Sequence, residues 1–232
     1  MAKKMITKKT LMAFGIVALI LALSFMTLFL GSLKSNVNRD GLIRVACVGD
    51  SITEGSGYPE NLQVMLGDNY RVGNFGVSGS TVLQNSNMPY MNQSAFWRAI
   101  VFQPSIVVVM LGTNDAKESP YGSVENFQSD YKELIREYET LESNPKIWLV
   151  TPPPIFENDL NLNNTNLEQT IIPSIKYVAN ELDLPTVDVN TALTDYPEYF
   201  MDGVHPSRDG AMLIASKINQ SIIFNGVSDA PF

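Results

Sequence analysis

The sequence predicts an α/β protein: a three-layer α/β/α sandwich around a five-stranded parallel sheet, preceded by one N-terminal transmembrane helix. Strand-like and helix-like stretches alternate from Leu42 onward. The strand-like stretches are near-continuous apolar runs, as expected where both faces of a parallel sheet are covered. Right-handed crossovers then distribute the helices over the two faces.

Taken in order, Ile43–Val48, closed by Gly49, is the first strand. Pro59–Leu66 follows as a helix and Tyr70–Phe75 as the second strand. Ser94–Phe102 reads as a helix, and Ser105–Leu111 (SIVVVML) as an apolar, β-branched third strand. Val124–Leu141 sets Phe127, Tyr131, Leu134, Ile135 and Tyr138 at helical spacing. Ile147–Val150 is a strand stopped by Pro152–Pro154. Leu167–Leu182 reads as a helix that Pro173 kinks or delays. Thr186–Val189 is the fifth strand, and Ser207–Ile223 a closing helix with Ser207 as its N-cap.

The N-terminal stretch has a different character. Leu11–Leu30 carries no charge, and its length matches a bilayer core of roughly 30 Å in helical form. Lys3, Lys4, Lys8 and Lys9 precede it, which puts residues 1–10 in the cytoplasm as a basic tail and the chain beyond the anchor outside. A cleaved signal peptide is the competing reading, but the run is long and its exit, Leu28-Phe29-Leu30-Gly31-Ser32, is bulky where small residues are wanted. The expected organisation is an anchor at 11–30, a linker at 31–41, a globular domain at 42–225 and a tail at 226–232.

Composition removes several classes of function. The formal net charge is −8, yet residues 1–40 are basic; the remainder holds 10 basic and 23 acidic residues. So acidic a body is a poor partner for nucleic acid. Cys47 is the single cysteine and His205 the single histidine, which excludes an internal disulfide, CxxC motifs and multi-histidine metal sites. GxSxG, GxxxxGK[ST] and GxGxxG are absent, so no α/β-hydrolase elbow or phosphate-cradling loop is expected, and no metal or cofactor is invoked.

Sites in parallel sheets lie beyond the carboxyl ends of the strands. Four glycine-bearing polar clusters fall there: Gly49-Asp50-Ser51-Ile52-Thr53, Asn74-Phe75-Gly76-Val77-Ser78-Gly79, Gly112-Thr113-Asn114-Asp115 and Asp202-Gly203-Val204-His205-Pro206. They supply a hydroxyl, a carboxamide, a carboxylate, exposed amides and the imidazole, which is the inventory for acyl transfer. A serine hydroxyl needs a base, and imidazole changes charge between pH 5 and 8. Ser51 is the candidate nucleophile, His205 its base, and Asp202 the group that orients the ring. The Ser51 and Gly76 amides and the Asn114 side chain are the candidate oxyanion donors. Asp50 and Asp115 read as structural acceptors, Cys47 as a buried small hydrophobe, and Trp97 as a core residue with a substrate contact as the alternative.

GDSIT, NFGVSG, LGTND and DGVHP, in this order, resemble the four blocks of the GDSL/SGNH hydrolase superfamily over about residues 43–222. The resemblance implies a flavodoxin-like sandwich and catalytic roles for Ser51, Gly76, Asn114, His205 and Asp202. The stretch FWRAIVFQPSIVVVMLGTNDAKESPYG, together with NFGVSGSTVL, is similar to bacterial sialate O-acetylesterase-like and acetylxylan-esterase-like members. The implied activity is hydrolysis of short acyl esters, O-acetyl esters of carbohydrate above all. A lysophospholipase or thioesterase with a longer acyl groove, an O-acyltransferase and a non-catalytic binding module are the alternatives.

Overall fold

A computed structural model of the chain describes residues 41–117 and 122–226. The expected basic tail, membrane anchor and linker over residues 1–40, and the C-terminal tail beyond Gly226, lie outside them. Among the described residues no helix is long and apolar enough to cross a membrane.

Among the described residues five parallel strands form one sheet in the order β2-β1-β3-β4-β5: β1 (Ile43–Gly49), β2 (Tyr70–Gly76), β3 (Ile106–Met110), β4 (Lys146–Val150) and β5 (Thr186–Val187). Period-two alternation divides the strand side chains between two cores. Ala46, Val48, Val107, Val109, Ile147 and Leu149 face one side. Val45, Cys47, Val108, Met110, Trp148 and Val150 face the other. Both sides being covered, the strands need apolar residues at every position, which is why IVVVM is an uninterrupted run.

Helices α3 (Ser94–Phe102), α4 (Val124–Glu139) and α5 (Ile172–Glu181) cover the first face. The five aromatic and aliphatic positions read as the buried stripe of α4 are its buried residues. Helices α1 (Ser51–Gly55), α2 (Tyr58–Leu66), α6 (Val189–Leu193) and α7 (Arg208–Gly226) cover the second. This is the expected three-layer sandwich.

Local departures have local causes. The fifth strand stops at Val187, two residues early, because the Asp188 carboxylate accepts from the Thr191 amide and starts α6. A π-helical stretch, Leu167–Ile171, precedes α5, and the Ile172 amide reaches back to the Leu167 carbonyl. Pro173 has no N–H to continue the i to i−4 ladder, so the widened turn lies beside it and the chain stays helical. The sequence also gave no hint of α1, which is too short to show periodicity.

Leu62 is fully buried on α2 in the second core, which also holds the Ala211, Ile214 and Ile218 stripe of α7. Leu62→Ala is expected to cost about 2–5 kcal/mol through lost apolar contact and a residual cavity. Urea unfolding monitored by circular dichroism checks this.

Candidate active site

The carboxyl ends of β1, β2 and β3 converge on one rim, where the first three clusters emerge. β1 ends at Gly49 because α1 turns directly across it: a Cβ at Gly49 would lie 1.9 Å from Thr53 Oγ1 and 2.6 Å from the Met110 carbonyl. Asp50 is buried and caps α1, its Oδ1 accepting from the Ile52 amide at 3.0 Å. Burial pushes its carboxyl up to about 6 against that hydrogen bond. Ser51 is thereby the first residue of α1, and its amide is among those a helix leaves without an internal partner.

The fourth cluster supplies the partners of Ser51. Asp202 Oδ1 accepts the Val204 amide at 3.0 Å and the His205 amide at 2.7 Å, closing a tight turn. Its Oδ2 lies 2.6 Å from His205 Nδ1, and His205 Nε2 lies 2.8 Å from Ser51 Oγ. Partial burial raises the Asp202 carboxyl, but the hydrogen bonds from the His205 ring and the two amides outweigh it and hold the group down at about 2. An ionised carboxylate only accepts, so Nδ1 carries the proton of the neutral ring and Nε2 accepts from the serine hydroxyl. The arrangement draws the Ser51 proton away from its oxygen. Gly203 makes the turn possible: its φ is +78°, and a Cβ would lie 2.0 Å from the Glu157 carbonyl oxygen.

A cleft of about 360 Å³ opens beside this pair, lined by the polar Ser51, Ser78, Asn114, Lys117 and His205, by Gly79, and by the apolar Leu160, Leu162 and Val204. Asn114 donates one Nδ2 hydrogen to the Ser80 carbonyl at 3.0 Å, which leaves a second donor on the same amide group. Asp115 is buried behind it and accepts the Val82 and Leu83 amides, both at 3.0 Å, so it is a structural acceptor, as the sequence implied. Burial pushes its carboxyl up to about 7 despite those bonds.

Two expectations need correction. Gly76 does not line the cleft. It ends β2, its amide donates to Asn74 Oδ1 at 3.0 Å, and a Cβ there would lie 2.2 Å from the Glu54 backbone nitrogen. That glycine permits close packing of α1 on β2. Gly79, three residues on, lines the cleft, with φ +78° and open space where a Cβ would be. The signal that separates them is the strand: an amide at a strand end is already engaged, whereas one in the following turn is not. Trp97 is likewise not part of the cleft lining. It is 59% exposed on α3, with its ring edge-on to Phe96 at 5.0 Å.

Gly203→Ala is expected to lose at least about 1–2 kcal/mol from left-handed backbone alone, before the clash with Glu157 is counted. Chemical denaturation of the purified variant measures it. The depressed Asp202 carboxyl gives a pH signature. Its contribution to stability is complete above the unfolded value near 3.8 and is lost as pH falls toward about 2. The melting-temperature deficit of Asp202→Ala should therefore shrink between pH 5 and pH 2, with a small amplitude because the side chain is half exposed.

Residues 47–213 match the GDSL-like Lipase/Acylhydrolase family. An acetylxylan esterase from Xylanibacter ruminicola is 35% identical over 210 residues, covering 79% of this chain and 44% of that relative, so the chain spans less than half of its length. An acetylxylan esterase structure from Geobacillus stearothermophilus superposes with a TM-score of 0.61 at 26% identity, over 77% of this chain and 93% of that one. A carbohydrate acetylesterase from Sinorhizobium meliloti shares the fold, with a TM-score of 0.63 at 17% identity, over 78% of this chain and 99% of that one. The match runs through all four rim clusters, and the chain belongs to the GDSL-like lipase/acylhydrolase family.

Proposed function

We propose that this chain is a membrane-anchored serine esterase whose domain faces the cell exterior and removes short acyl groups, O-acetyl above all, from carbohydrate. The observation that carries the reading is the continuous hydrogen-bonded run Asp202–His205–Ser51 at the mouth of a small cleft. Ser51 Oγ attacks the ester carbonyl while His205 Nε2 takes its proton. The charge on the carbonyl oxygen is met by the Ser51 and Gly79 amides and the second Nδ2 hydrogen of Asn114. Collapse of the adduct breaks the bond to the alcohol oxygen, which receives the proton from His205. Water, deprotonated by the same imidazole, then releases the acid and restores Ser51. Asp202 fixes the ring tautomer and stabilises the imidazolium. No metal or cofactor enters this scheme.

The substrate class draws support from the two relatives described as acetylxylan esterases, and from the modest volume of the cleft. The anchor draws support from the uncharged stretch 11–30 behind four lysines.

The test uses the full-length chain in mild detergent. Its kcat/KM is compared for nitrophenyl acetate and nitrophenyl octanoate, with Ser51→Ala as the blank. Acetate is expected to be preferred, and Ser51→Ala to retain less than a few per cent of turnover with an unchanged melting temperature. Preference for octanoate points instead to a long acyl groove and a lipid-directed enzyme. Turnover that survives Ser51→Ala overturns the mechanism.

A further inference from the structure

We propose that Glu54 is a positioning residue that ties the oxyanion pocket to the helix carrying the nucleophile. The proposal rests on the esterase reading above, in which the Ser51 and Gly79 amides receive the developing charge. Gly79 stands between two anchored serines. On one side, the Ser78 amide donates to Glu54 Oε2 at 2.8 Å, and the Ser78 hydroxyl donates to the same oxygen in a short hydrogen bond. On the other, the Ser80 carbonyl accepts from Asn114 Nδ2 at 3.0 Å. The Glu54 main chain joins in, its carbonyl accepting from Asn74 Nδ2 at 3.2 Å while Asn74 Oδ1 holds the Gly76 amide.

Glu54 lies three residues after Ser51 on α1. One short helix therefore presents the attacking oxygen and also the carboxylate that fixes the residue before Gly79. The separation of the two amide donors is set within one rigid unit and does not depend on two loops agreeing by chance. A carboxylate suits the task, since one oxygen accepts two donors and charge-assisted hydrogen bonds are about twice as strong as neutral ones. Glu54 and Ser78 are both exposed, so the latch adds little to global stability. Catalysis is the more sensitive property, because a displacement of about 1 Å at a reacting centre costs on the order of 100-fold.

The experiment measures nitrophenyl acetate turnover by the full-length chain and its Glu54→Ala, Glu54→Gln, Ser78→Ala and Ser51→Ala variants. Glu54→Ala and Ser78→Ala are expected to lower kcat by about 10–100-fold with KM changed less than about twofold. Melting temperatures should stay within a few degrees of the parent, and Glu54→Gln, which keeps an acceptor, should recover most of the rate. Affinity for a phenylboronic acid, which forms a tetrahedral adduct on a serine hydroxyl, should weaken by the same factor as kcat/KM. Unchanged kcat and boronate affinity in Glu54→Ala, with Ser51→Ala inactive, overturns the latch and leaves the esterase reading standing. A rate loss that tracks a fall in melting temperature overturns it as well, by making Glu54 merely structural. Absence of any Ser51-dependent turnover in the parent overturns both.

Discussion

Two glycines at the ends of neighbouring parallel strands let a five-residue helix lie directly on the rim of the sheet. No side chain fits at Gly49 or Gly76, because Thr53 and the backbone of Glu54 occupy that space. The site depends on this close approach. It aims Ser51 outward at the start of α1, brings Glu54 over Ser78, and sets the turn containing Gly79 beside the serine hydroxyl. The strands beneath are rigid because both faces are sealed by apolar cores, so the rim is a fixed reference for the groups built on it.

The carboxylates divide by environment. Asp50 and Asp115 are buried and accept backbone amides, Asp50 from Ile52 through Oδ1 at the start of α1 and Asp115 from Val82 and Leu83 through both oxygens. Desolvation raises both. Asp202 is half exposed, and three donors gather on it and hold it ionised. Similar chemistry thus serves as scaffold where water is excluded and as a ring-orienting charge where water has access.

Much of this was legible in the residues. The stretch around Val107–Met110 could only be a strand covered twice, and the aromatic stripe of α4 has one possible face. The four polar clusters were recognisable because chemistry-bearing residues after apolar runs fall on one rim. What escaped reading was decided by contacts that composition does not encode. Gly76 and Gly79 look alike in NFGVSG; they differ in which amide is already bonded and which backbone is left-handed. Trp97 suited a core position or a substrate contact by type alone, and its place on the outer surface of α3 followed from packing. Val189 looked like strand until the Asp188 cap turned the chain into α6.

The hydrogen bond from Ser51 to His205 joins residues 154 positions apart. Chain order therefore becomes a clock. At about 5–20 residues per second, roughly 8–30 s of synthesis separate the hydroxyl from the imidazole that activates it. Throughout that interval the serine has no base. A chain that stalls before the fourth cluster lacks both the imidazole and α7, whose Ala211, Ile214 and Ile218 fill the second core, so reactivity arrives with the same segment that completes the fold.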